Sequence, residues 1–200
     1  MADQQNSQQN SILVVEGLTK KFSDHAILHD IQLQVKKGEI FGIIGVSGAG
    51  KTTLLELLIG FLKPTTGDVE FRVGGALLNK ENKSNLISVN ENQDFIKHVF
   101  GFATQKPSFY DNLTVKENLD YFGALYELTD EHLQQNIKTA LELVELSPYQ
   151  GVIAKHLSGG MQKRLDIACS LIHNPEILIL DEPAADLDIV LRKQLWKVIK

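Results

Sequence analysis

A single cysteine, Cys169, occurs in the 200 residues, so no disulfide framework is available and a reducing cytosol is the compartment that suits the chain. A basic surplus is also missing. Lys and Arg total 20 against 25 Asp and Glu, for a formal net charge of -5. No cluster of Lys and Arg stands out, which argues against a nucleic-acid partner and against a lipid-binding patch. Long apolar runs are absent: residues 40–46 and 177–180 fall far short of the roughly 20 residues that cross a bilayer as a helix. The N-terminal residues 1–11 are rich in Gln and Asn without an apolar core, so they read as a disordered tail and not as a signal peptide. The six histidines are scattered without metal-ligand spacing, and there is no internal repeat.

What remains is a globular composition, 43% hydrophobic and 22% charged, in a length that fits one domain. Residues 12–15 form a β-rich run leading to Leu18 and Phe22. Alternation at Ile31, Leu33 and Val35 predicts a strand with one buried face. Residues 40–44 are continuously apolar, as a central strand covered on both faces would be. A glycine-rich turn follows, then a helical run over 52–61 stopped by Lys63-Pro64. Residues 74–92 read as an exposed loop with room for a short edge strand, and 99–103 as a strand.

Helical periodicity then takes over. It places Val115, Leu119, Phe122 and Tyr126 on one face, then Leu133, Ile137, Leu141 and Val144, then Met161, Leu165, Ala168 and Ile172. Residues 177–180 predict another buried strand. Strands and helices alternate at both ends around a helical block at about 107–174. The expected fold is therefore α/β, a mainly parallel sheet with a β-rich N-terminal part and an inserted helical subdomain.

Gly45-Val46-Ser47-Gly48-Ala49-Gly50-Lys51-Thr52 fits G-x-x-x-x-G-K-[ST] between a buried strand and a helix. Its glycines let the backbone wrap phosphates with N–H groups pointing inward, and the following helix adds the positive end of its dipole. Lys51 would neutralise the β- and γ-phosphates and the Thr52 hydroxyl would bind Mg²⁺. Ser47, Ala49 and Thr53 complete the expected phosphate-binding set. The plainer alternative is a glycine-rich turn with an incidental lysine. A P-loop enzyme also needs an acid at the end of a neighbouring strand, and Asp181 after 177–180 supplies it. Asp181 would orient Mg²⁺ and Glu182 could polarise the attacking water; taken alone, the pair is also an ordinary acidic turn before Pro183. Ser158-Gly159-Gly160 opens a helix, and its N–H groups make an anion site or simply a helix cap.

Leu157-Ser158-Gly159-Gly160-Met161-Gln162-Lys163-Arg164, shortly before Asp181-Glu182, resembles the signature motif of ATP-binding cassette (ABC) proteins. The resemblance spans about residues 12–200 and implies a P-loop NTPase of RecA-like fold that binds ATP and Mg²⁺ and hydrolyses ATP. By that resemblance Phe22 stacks on adenine, the alternative being a buried strand-end Phe. It likewise implies that Gln105 senses magnesium and the attacking water, and that residues 185–188 form the D-loop. It further implies a shared site, with ATP between the P-loop of one cassette and Ser158, Gly159 and Gly160 of a second. The helical stretch 114–126 and Met161 look like export-type cassettes, which implies docking on a transmembrane transporter subunit at the cytoplasmic face of the membrane, with 107–174 and Phe109 and Tyr110 at the docking face. A soluble, non-transport ABC protein is the alternative, as is a cassette that binds ATP but hydrolyses little. The departures are Met161, Asp186 and Ile189, a 74–97 segment longer than usual, and a switch histidine that would fall a few tens of residues beyond Lys200. That last point leads us to expect either a C-terminally incomplete cassette or one lacking that sensor.

Overall fold

The computed structural model describes residues 11–72 and 86–184, and these divide into two compact units at Ile96/Lys97. Residues 185–188, expected as the D-loop, Ile189 and residues 1–10 of the expected tail lie outside the described residues, as do residues 74–85 of the 74–97 segment.

The first unit opens with β1 (Ser11–Phe22) and β2 (His25–Lys36), followed by α1 (Lys51–Leu58), β3 (Thr66–Arg72), β4 (Leu86–Ser88) and most of α2 (Gln93–Val99). The strands form one antiparallel sheet in the order β2-β1-β3-β4. β1 begins at Ser11, one residue earlier than expected. There the Ser11 carbonyl accepts from Arg72 Nε at 2.8 Å and its hydroxyl donates to Gln34 Oε1 at 3.3 Å. Two residues of β1, Glu16 and Gly17, face one of β2, Gln32, between Val15↔Leu33 and Leu18↔Ile31, and Gly17 takes up this bulge at φ 59. β3 crosses so close that a Cβ on Gly67 would lie 2.4 Å from the Gly17 carbonyl group, so this crossing excludes any side chain. Leu13, Val15, Leu18, Val69 and Phe71 carry the buried face.

Two expectations for this unit change. Residues 40–44 form no strand, and Ile40, Phe41 and Ile44 are exposed. An apolar run becomes a strand only where a neighbouring strand supplies ladder partners, and among the described residues no strand pairs with 40–44. α2 follows the stretch expected as loop; at seven residues it is too short for periodicity to reveal, and its first turn is closed by Phe95 and Ile96 N–H groups donating to the Asn92 carbonyl, both at 3.0 Å. α1 stops before Phe61 because Gly60, at φ 74, turns the chain out of the helix.

The second unit holds β5 (Phe100–Ala103), α3 (Val115–Leu125), α4 (Asp130–Leu143), α5 (Gly159–Leu171) and β6 (Ile177–Leu180), with short 3₁₀ turns before α5. β5 and β6 pair in parallel, the one parallel ladder among the described residues. Of the β6 side chains only Ile179 is buried, where a fully buried strand was expected. α3 starts on a capping box, Thr114 Oγ1 accepting from Glu117 N while Glu117 Oε2 accepts from Thr114 N. It ends where Glu127 turns left-handed at φ 56, and α4 ends similarly at Glu145. The core joins Val115 and Leu119 of α3, Leu133, Ile137 and Leu141 of α4, and Leu165, Ala168 and Ile172 of α5. Truncating a fully buried member such as Leu119 to Ala would cost about 2–5 kcal/mol. Phe122, Tyr126 and Met161 sit at its margin, half-buried.

Candidate functional site

The glycine-rich turn leads straight into α1. Gly50 caps this helix at φ 87, and a Cβ there would come within 3.0 Å of Ile27 Cγ2 and 3.1 Å of Leu28 Cδ2. Glycine is therefore demanded twice, by dihedral and by space. Gly48, at φ 79, has nothing within 4 Å of its Cβ position, leaving open room on that side of the loop. The Ala49 N–H closes a tight turn onto the Val46 carbonyl at 3.2 Å. Lys51 Nζ donates to the carbonyls of Gly45 at 3.1 Å and Val46 at 3.2 Å, which keeps the ammonium within the curve of the loop. Thr52 is exposed and Thr53 half-buried on the first turn of α1, and Ser47 lies exposed in the loop. A positive concavity backed by the N-terminus of a helix fits a phosphate chain.

Phe22 ends β1 with 47% of its surface exposed, so it is not a core residue. Lys20 Nζ sits 4.9 Å from its ring centroid. An exposed, cation-backed aromatic face can stack on a planar base.

The remaining expected residues belong to the second unit. β5 and β6 run in parallel, so their C-terminal ends deliver Gln105 and the Asp181-Glu182 pair to the same edge. Asp181 is 4% exposed and its N–H continues the ladder to the Ala103 carbonyl at 2.9 Å. Glu182 turns left-handed at φ 46, a conformation that costs a non-glycine residue of the order of 1 kcal/mol and that clusters at functional sites. Its Oε2 accepts from Gln105 Nε2 at 3.1 Å. Ser158 caps α5, its Oγ accepting from Met161 N at 3.3 Å. Gly159 is exposed, with nothing within 4 Å of its Cβ position, while Gly160 is buried.

The expected residues thus form two sets. Phe22, Gly45, Ser47, Gly48, Ala49, Gly50, Lys51, Thr52 and Thr53 lie in the first unit, and Gln105, Ser158, Gly159, Gly160, Asp181 and Glu182 in the second. The Thr52 hydroxyl and the Asp181 carboxylate are hard oxygen donors of the kind Mg²⁺ takes.

Sequence reading missed the groups that hold the Gln105 loop. Lys163 and Asp166, on one face of α5, are 7% and 0% exposed. Lys163 Nζ donates to the Thr104 carbonyl at 2.7 Å and lies 3.6 Å from Asp166 Oδ2. Asp166 Oδ1 accepts from Ser108 N at 2.8 Å and Ser108 Oγ at 2.9 Å. Burial pushes the Asp166 carboxyl above its ordinary range, against the opposing pull of Ser108 and Lys163. Their only signal was a Lys and an Asp three residues apart, which normally marks a solvated helix face. Asn118, fully buried, was also missed as a structural residue. It bridges the Tyr110 N–H (2.7 Å to Oδ1) and the Tyr110 and Thr114 carbonyls (both 3.0 Å from Nδ2). Cys169 is buried at 2% exposure with its thiol pushed far up by desolvation, consistent with an inert core residue.

The ABC transporter family profile matches residues 28–185. The probable multidrug ABC transporter ATP-binding protein YbhF of Escherichia coli (strain K12) is 33% identical over 192 residues, which cover 95% of this chain and 31% of YbhF. The spermidine/putrescine import ATP-binding protein PotA of Oleidesulfovibrio alaskensis is 33% identical over 194 residues, 97% of this chain and 48% of PotA. The solved structure of cbiO1 from Clostridium perfringens, part of the ABC transporter complex cbiONQ, matches with a TM-score of 0.81 at 28% identity, covering 95% of this chain and 72% of cbiO1. The chain spans about a third to a half of these two curated relatives.

Proposed function

Because the chain belongs to the ABC transporter family, we propose that it binds ATP with Mg²⁺ and hydrolyses it as the motor subunit of a membrane transporter. The observation that carries this reading is the Gln105–Glu182 hydrogen bond of 3.1 Å at the joint end of β5 and β6. It puts a neutral amide against a carboxylate that can take a proton from water, directly after the buried Asp181.

Each group then has a chemical task. Phe22 stacks on the adenine. The N–H groups of the 45–50 loop and the Lys51 ammonium hold the β- and γ-phosphates, with phosphate oxygens replacing the Gly45 and Val46 carbonyls as acceptors. Thr52 and Asp181 would hold Mg²⁺, which neutralises phosphate charge when bound. Glu182 takes the proton of the attacking water, and Gln105 orients both. Ser158, Gly159 and Gly160 present a helix N-terminus to the γ-phosphate carried by a second cassette, so the working unit is a dimer.

Among the described residues no helix is long and apolar enough to cross a membrane. From its family, the chain is proposed to dock from the cytoplasmic face onto the transmembrane part of a transporter. The proposed direction is export, supported by the likeness to YbhF, whereas PotA at the same 33% identity is named for import. A calorimetric titration with ATP, with and without Mg²⁺, tests the binding half: the unmodified chain should bind and Lys51→Ala should lose at least about tenfold in affinity, the share of a charge-assisted phosphate contact. Equal affinity in the two proteins would overturn the assignment of the loop.

A further inference from the structure

The Gln105 loop is strapped to α5, and the strap is made of two buried charged side chains, Lys163 and Asp166. Asp166 takes both hydrogen bonds that Ser108 offers, at 2.8 Å and 2.9 Å. Lys163 Nζ donates to Thr104 O at 2.7 Å and reaches Gln105 O at 3.5 Å. Both ends of the 104–108 stretch are therefore fixed to one face of one helical turn. A buried ion pair is weak support for stability, because desolvation offsets most of its attraction, but it holds geometry closely. Here the pair itself is long, 3.6 Å, and Asp166 Oδ2 has no hydrogen-bond partner among the described residues. The strong bonds run to the loop. The same helix opens at Ser158, five residues before Lys163, about 7.5 Å along a rigid rod.

We propose that Lys163 and Asp166 are positioning residues that fix the Gln105 side chain against Glu182 and tie it mechanically to the Ser158 turn. A displacement of the N-terminus of α5, such as a ligand held there would produce, then moves the 104–108 backbone and with it the Gln105 amide. The geometric part stands on this chain alone; its consequence for turnover rests on the functional reading above.

The test follows the side-chain amide resonance pair of Gln105 by NMR in the full chain, identified by its loss in Gln105→Ala. In Lys163→Met the pair should shift and its hydrogen exchange should speed up at least about tenfold, and Lys163→Arg should restore most of the original position. Ser108→Ala removes one hydroxyl from an exposed residue and leaves the core intact. It should shift the same resonances to a lesser degree, and it carries the test should Lys163→Met fail to fold. Turnover supplies the second readout. Lys163→Met should lower kcat about tenfold to a hundredfold with KM for ATP unchanged, the scale of a misplaced catalytic group, and should cost nothing further in a Gln105→Ala background. Unmoved Gln105 resonances in the folded variants, or losses that multiply with Gln105→Ala, would overturn the proposal. An unmodified chain without turnover would count against the functional reading instead, and the amide resonances would still decide this one.

Discussion

Replacing Asn118 with Ala removes a side chain that is wholly buried and makes four hydrogen bonds, to Tyr110 N, Tyr110 O, Leu113 O and Thr114 O. Counted singly at about 1 kcal/mol each, these would sum to about 4 kcal/mol. The surroundings lower that figure. The Tyr110 carbonyl also receives Leu113 N at 3.2 Å, the Thr114 carbonyl receives the N–H of Asn118 itself at 3.0 Å, and the Leu113 carbonyl receives Ala154 N at 2.8 Å. Only the Tyr110 N–H, 2.7 Å from Oδ1, loses its described partner. One orphaned donor costs about 1–3 kcal/mol, so the expected loss is about 2 kcal/mol, or about 4–8 °C in Tm for a chain of this length. Urea denaturation with an unchanged m-value measures it. Asn118→Asp should be the worse replacement, since it sets an oxygen where the amide donor now meets two carbonyls at 3.0 Å. A loss of 4 kcal/mol or more for Ala, or an Asp variant more stable than the Ala variant, would refute the reasoning.

Other perturbations have equally definite outcomes. In Gly101→Ala the new Cβ would sit 2.3 Å from the Ser170 carbonyl oxygen and 2.9 Å from Pro175 Cγ, so β5 or α5 must shift and the thermal midpoint should fall by the equivalent of about 1–3 kcal/mol; an unchanged midpoint would mean β5 does not pack on α5 this closely. His173 lies stacked on Tyr126 with ring centroids 3.7 Å apart, its Nε2 3.1 Å from the Phe100 carbonyl. Burial, reinforced by His98, holds its pKa below the ordinary 6.5 despite the Phe100 contact. The unfolded chain then binds the proton first as pH falls. The stability contributed by neutral His173 is complete above 6.5 and lost as pH drops through the lower folded value. Urea midpoints at successive pH values should show this decline in the unmodified chain and less of it in His173→Phe; equal slopes would remove His173 as its source.

What could be read in advance was chemistry carried by contiguous residues. The loop ending Gly50-Lys51-Thr52, the Ser158-Gly159-Gly160 turn and the Asp181-Glu182 pair are each a few adjacent positions, and the structure places them at the start of α1, at the start of α5 and at the end of β6. Helices α3 and α4 were legible because they run 11 and 14 residues, long enough to repeat an apolar face. Features that depend on distant partners were not. Residues 40–44 have strand composition, but composition supplies no ladder partner. Lys163 and Asp166 have the look of a solvated face until β5 and the 104–108 loop are laid over them. Asn118 resembles any polar residue of a first helical turn, and nothing in Glu182 announces a left-handed backbone.

The central claim is the proposed ATP hydrolysis, with Lys51 assigned to phosphate binding and Glu182 to proton abstraction, and Mg²⁺-dependent phosphate release from ATP tests it most directly. The unmodified chain should release phosphate; Lys51→Ala should weaken ATP binding at least about tenfold and lose release with it, whereas Glu182→Gln should keep ATP bound while release falls at least about a hundredfold, the share of a general base. Release that persists undiminished in Glu182→Gln would contradict the account.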